Sequence, residues 1–307
     1  MATEVFPGTG LFQRAAAAFA ASVPVDPADD GFFGPGSVTW RLHADLSAPV
    51  SGLRALLLQA LHPLAMAGVN QHSQWRDDPG GRFASTSAYV LTTTYGERST
   101  ARAAADRVRM IHEWVRGTDP VTGQPYAAGD PELLLWVHAG LVDSGLAAAA
   151  RYGLRLSPAE ADQYVAEMTA VAELVGMPAG LAPASVAALD RYFASVRPAL
   201  AASDAMSEAI GYLLALPGED GELTDIWQVL VAAAVSSLPG WARDMHGFGD
   251  GGPRPGSSAP GRDEVRSVLG LLDVIYLGEP GVLEARQRLT LRMRAAQEQA
   301  PAQAPTR

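Results

Sequence analysis

The 307-residue chain has no cysteine and no lysine. The first absence excludes disulfides, thiolate metal sites and cysteine nucleophiles. The second leaves arginine and histidine as the only side-chain cations, and so excludes Schiff-base chemistry and the lysine-dependent phosphate loop GxxxxGK[ST]. Charge is sparse at 18% against 48% hydrophobic residues, a balance that folds around a core. The net charge of −10 argues against nucleic acid as a partner, because such binding needs a basic surface that displaces counterions. No run approaches the ~20 apolar residues that span a bilayer, so no membrane span is expected. Glu4 and a single Arg14 ahead of Ala15–Val23 make a poor signal-peptide start, and a cytoplasmic location is expected. HExxH and GxSxG are both missing.

Helical periodicity is present almost throughout, and alternating strand patterns are scarce. The reading is all-α: residues 1–32 as an N-terminal helix and loop, 33–298 as one helical domain, and 299–307 as a disordered tail. Pro63 interrupts the apolar stretch Val50–Val69, which predicts a break near Leu61–His62. Gly80-Gly81 predicts a loop before a helix starting near Arg82, and Ser99 can cap the next helix, running to Gly117 with Val108, Ile111 and Val115 on one face. Thr118–Gly129 reads as a loop, and Gly249–Gly261 as a longer one. The most informative helix is Asp130–Gly153, with Asp130 as cap, Pro131 at its first position and Glu132 at the positive end of its dipole. Ser157 and Glu160 form a capping box for the helix that follows.

Among the six histidines, His138 stands out. At helical spacing it has Leu134, Leu135, Leu141 and Val142 beside it, none able to hydrogen-bond an imidazole. Two readings stand: a core histidine bonded across a helix interface, or a haem ligand with flat apolar contacts for a porphyrin. Arg82 and Thr86, at i and i+4, share a helix face. A guanidinium beside a hydroxyl suits a carboxylate or a bound oxygen ligand, or is simply a solvated helix start.

The chain resembles the bacterial and fungal oxygenase family that includes latex clearing protein (rubber oxygenase) and the MpaB-type oxygenases. The resemblance rests on Phe33-Gly34-Pro35-Gly36-Ser37-Val38-Thr39-Trp40, His62-Pro63, Ala67-Gly68-Val69, His72-Ser73, Asp78-Pro79 and Arg82-x-x-x-Thr86. It continues through His112-x-x-Val115-x-Gly117, Trp136-Val137-His138-Ala139, Tyr152-Gly153 and Ser157-x-x-Glu160-x-Asp162-x-Tyr164. It implies a globin-like helical core that binds haem b, His138 as the proximal iron ligand, and Arg82 and Thr86 near the haem on the distal side.

Two departures narrow the expected reaction. The rubber-cleaving members use a carboxylate upstream of the Arg-x-x-x-Thr pair, yet no Asp or Glu lies between Ala55 and Trp75. Ser85 stands where those enzymes can place a lysine. The expected function is therefore a haem-dependent oxygenase acting with dioxygen on a small hydrophobic, isoprenoid or lipid-like substrate, with an electron donor admissible as a partner. His138 is the expected iron ligand, Leu134, Leu141 and Val142 line the haem, and Arg82, Thr86 and His72 are the catalytic candidates. The competing readings are a haem sensor or carrier without turnover, and a helical binding protein without haem. A non-haem iron at His62, His72 and His112 is disfavoured by their irregular spacing.

Overall fold

The computed structural model describes residues 29–215, 221–248, 258–277 and 280–299. The expected N-terminal helix and the C-terminal tail, and most of the expected loop at 249–261, lie outside these residues. The described chain is built from α1 (Val38–His43), α2 (Ala48–Gln59), α3 (Pro63–His72), α4 (Pro79–Tyr95) and α5 (Arg98–Trp114). A two-stranded antiparallel ribbon follows, β1 (Arg116–Thr118) with β2 (Pro125–Ala127), then α6 (Pro131–Tyr152), α7 (Pro158–Leu174) and α8 (Val186–Val196). The remaining helices are α9 (Asp204–Ala215), α10 (Gly221–Ser237), α11 (Gly240–Met245), α12 (Arg262–Leu277) and α13 (Pro280–Gln299). The all-α expectation holds.

Pro63 does what its chemistry requires. It cannot donate an amide to the preceding turn, and α2 and α3 part there at 104°. The Gly80-Gly81 expectation is corrected: α4 begins at Pro79, and the Asp78 carboxylate accepts the Gly81 amide at 2.7 Å. One acidic cap and a proline in the first turn outweigh two glycines. The next helix starts at Arg98 and stops at Trp114, not Gly117, because the chain turns extended to form the ribbon. Its inward arc is Ala101, Ala105, Val108 and His112, so Ile111, about 100° around the helix from His112, faces solvent.

Helix α6 is the centre of the molecule, with α2 packed along it and α10 across both. Close packing is possible because Ala139, Gly140, Gly145, Ala148 and Ala149 present little side chain. At Gly145 a Cβ would come within 2.7 Å of the Tyr164 hydroxyl, and at Gly153 it would collide with Asp45. Both glycines are explained by close approach. By length and composition α6 could cross a membrane, although two-thirds of its most apolar stretch is buried inside the fold. The expectation of no such run is corrected to that extent: Gly, Ala, His and Ser dilute the apolar residues without adding charge.

Two buried polar networks join the helices. Arg54 of α2, only 3% exposed, pairs with Asp143 at 2.7 Å, donates to the Ser144 hydroxyl at 2.8 Å, and reaches the Ser237 carbonyl through Nε at 3.1 Å. In the second, the Thr94 hydroxyl donates to the Val90 carbonyl, so it must accept from Nδ1–H of His43, 2.7 Å away. The other ring nitrogen then accepts from the Tyr164 hydroxyl at 3.1 Å. This chain ties α1, α4 and α7 through a neutral imidazole, and burial holds the His43 pKa down at about 4.

Candidate functional site

His138 projects from the middle of α6 and is 7% exposed. Leu134, one turn before it, packs in a satellite cluster with Ala172, Met177 and Ala182, while Val142, one turn after, enters the main core. Leu141 is half-buried beside them. Among the described residues His138 makes no hydrogen bond, ion pair or ring contact. Burial lowers its pKa to about 4, so the ring is neutral near pH 7 and both nitrogens lack a protein partner. Of the two readings from the sequence, a histidine bonded across a helix interface is the one this geometry does not support. An apolar-walled, neutral imidazole with a free lone pair fits an axial ligand to haem iron.

Arg82 and Thr86 share one face of α4, as their spacing predicts. Arg82 is exposed by area, yet enough protein surrounds its guanidinium for desolvation to pull the pKa below the usual arginine range. Its guanidinium makes no hydrogen bond or ion pair among the described residues. The Thr86 hydroxyl donates back to the Arg82 carbonyl at 3.1 Å. His72, at the end of α3, donates from Nε2 to the Arg116 carbonyl at 3.0 Å and meets the Tyr126 ring edge-on. Gln71 beside it bonds Thr118 and Tyr126, so this turn of α3 anchors the ribbon.

No hydrogen bond, ion pair or ring contact links His138 to Arg82, Thr86 or His72 among the described residues. The structure does bring Arg82 together with His112, which sequence spacing did not single out as a pair. α4 and α5 form an antiparallel hairpin about Gly96-Glu97, and each residue lies about fifteen positions from that turn, at one level roughly 22 Å away. Burial lowers the His112 pKa, and the Arg82 charge lowers it further. Its Nδ1 is buried without a partner, as are the Tyr89 hydroxyl on α4 and Nδ1 of His62. His62 lies tilted against Trp136, its pKa lowered by burial and pulled partly back by Glu132 and Asp119. Among the described residues no group of three His, Asp or Glu side chains converges. His62, His72 and His112 therefore do not form the non-haem triad. Two clefts, of about 480 and 430 Å³, lie elsewhere, one beside Asp119 and Glu208 and the other between α5 and α7.

The neutral histidines have a measurable consequence. His43 and His138 are held at about 4, and His62, His112 and His246 are also lowered from 6.5, in each case chiefly by burial. An unfolded chain takes up protons below 6.5 that the fold refuses, so stability is complete above that pH and falls as pH drops toward 4. Each fully shifted group contributes a slope of about 1.4 kcal/mol per pH unit. Urea midpoints are expected to be flat from about pH 7 to 8 and to fall steeply from about 6.5 to 4.5. A midpoint unchanged between neutral pH and about pH 5 would contradict the burial of these rings in the neutral form.

Residues 40–271 match the model of the family described as ER-bound oxygenase mpaB/B'/Rubber oxygenase, catalytic domain, and the chain belongs to that family of oxygenase catalytic domains. No curated protein and no solved structure matches it.

Proposed function

We propose that this oxygenase-family chain binds haem b through His138 and acts with dioxygen on a small hydrophobic substrate. The supporting observation is the buried, neutral imidazole of His138 with no partner on either nitrogen among the described residues. A ring lone pair that no described residue engages is open to an iron ligand bond. Bound haem would supply the iron at which dioxygen is taken up and activated.

The chain's own residues have distinguishable parts. Leu134, Leu141 and Val142 lie beside the His138 ring and offer it no hydrogen-bonding group, and so leave its lone pair available. Arg82 is the donor best fitted to a bound oxygen or carboxylate, because no described acceptor occupies its guanidinium. Thr86 and His72 have already spent protons on the Arg82 and Arg116 carbonyls, so in this geometry each offers an acceptor atom. The carboxylate-free stretch from Ala55 to Trp75 favours a substrate other than polyisoprene.

Haem titration of the purified chain is the test. A Soret band that saturates at an equimolar ratio is expected, with oxygen consumed when a reductant and an isoprenoid or lipid substrate are added. A chain that stays colourless through the titration overturns the proposal. A haem complex that never consumes oxygen would make it a carrier or sensor.

A further inference from the structure

Gln59 is the last residue of α2, and it is bonded to α6 through both its backbone and its side chain. Its carbonyl accepts the indole N–H of Trp136 at 3.0 Å, and more loosely the His62 amide at 3.4 Å. Its side-chain amide donates to the Val137 carbonyl at 3.0 Å. Trp136 and Val137 are the two residues before His138, and the Val137 carbonyl belongs to the peptide unit whose nitrogen is that of His138.

The bond to Val137 does not rescue a stranded group. Val137 lies inside α6, where its carbonyl already has the Leu141 amide one turn on as its partner. What a second donor adds is a fixed position. The face of α6 beside Gln59 is smooth: Ala139 and Gly140 offer almost no ridge to set the register of a packed helix. A Cβ at Gly140 would meet the Gln59 Cγ at 3.4 Å, so the glutamine stem lies directly against that face. Trp136, wholly buried, is held in turn by Phe193, with ring centroids 5.9 Å apart. Sliding α2 along α6, or turning α6 about its axis, would break both Gln59 bonds at once. Arg54 joins the same two helices at Asp143 and Ser144, so they stay together without Gln59.

We propose that Gln59 is a positioning residue for His138: it keys the end of α2 to the turn of α6 that carries the imidazole, and so sets where the ring points. This inference rests on the reading of His138 as an iron ligand, and one arm of its test is free of haem.

Gln59→Leu removes the donor at similar size, Gln59→Glu sets a carboxylate against the Val137 carbonyl, and Gln59→Lys keeps a donor of similar reach. The side chain is half-buried and Arg54 remains, so all three should melt close to the wild type. In the haem-free protein the His138 ring signal is followed by carbon–proton NMR and assigned by its loss in His138→Leu. It should shift or broaden in Gln59→Leu and Gln59→Glu, and return toward the wild-type position in Gln59→Lys. In the haem complex the same two variants should release haem faster by roughly two- to tenfold, the range one hydrogen bond is worth. The iron–histidine stretching band should shift with them. A His138 ring signal in Gln59→Leu identical with the wild type overturns the proposal, whatever the haem titration gives. A lowered melting temperature with ring signal and release rate unchanged also overturns it, and leaves Gln59 a packing residue. Should His138→Leu bind haem as the wild type does, the haem reading fails by itself, and the ring signal still decides whether Gln59 sets the ring.

Discussion

His138→Leu is expected to lose haem affinity by about a hundredfold or more while leaving the haem-free protein as stable as the wild type, or more so. The two effects come from one cause. In the haem-free fold the imidazole makes no hydrogen bond among the described residues, so replacing it breaks none. Leucine fills a similar volume beside Leu134 and Val142 and has nothing to leave unsatisfied. A residue kept for packing would behave oppositely, since its replacement would lower the melting temperature and leave haem binding alone. Thermal melts of both haem-free proteins, with haem titrations followed at the Soret band, decide the matter. A destabilised variant with unchanged affinity would remove His138 from the site.

Arg54→Ala is expected to cost about 3–5 kcal/mol, a large share of the 5–15 kcal/mol that holds a typical domain together. The substitution leaves Asp143, only 26% exposed, without its counter-charge, and strands the Ser144 hydroxyl and the Ser237 carbonyl. Because Arg54 reaches from α2 to both α6 and α10, the loss falls where the three central helices meet. Arg54→Lys keeps the charge but lacks the Nε–H that meets Ser237, so it should recover only part of the stability. Urea unfolding measures both variants, and pairing each with Asp143→Asn gives the coupling between the two charges. A loss below about 1 kcal/mol for Arg54→Ala would mean that solvent reaches the pair more freely than its burial implies.

The helix content, the break at Pro63, the start of α6 at Pro131 and the Ser157–Glu160 capping box were legible because each depends on neighbours within a turn or two. The ordered motifs from Phe33 to Tyr164 likewise carried the family, since they are a property of the chain itself. Local chemistry failed where tertiary contacts competed with it. Asp130 stands at the cap position of α6, yet its carboxylate accepts the Ala127 amide of the ribbon, a choice set by the path of the incoming strand. Three-residue strands are too short to show a period, so the ribbon was invisible and α5 was read too long.

For the candidate site the division is the same. Sequence determined that His138 sits on an apolar helix face and that Arg82 and Thr86 share another. Only the tertiary structure decided that His138 has no partner among the described residues, because that depends on what the other elements bring near it. Packing between α4 and α5 likewise set His112 beside Arg82, thirty positions apart, and turned Met110, Ile111 and Trp114 outward. An arginine such as Arg54 reads as a surface residue until three helices are seen to close around it.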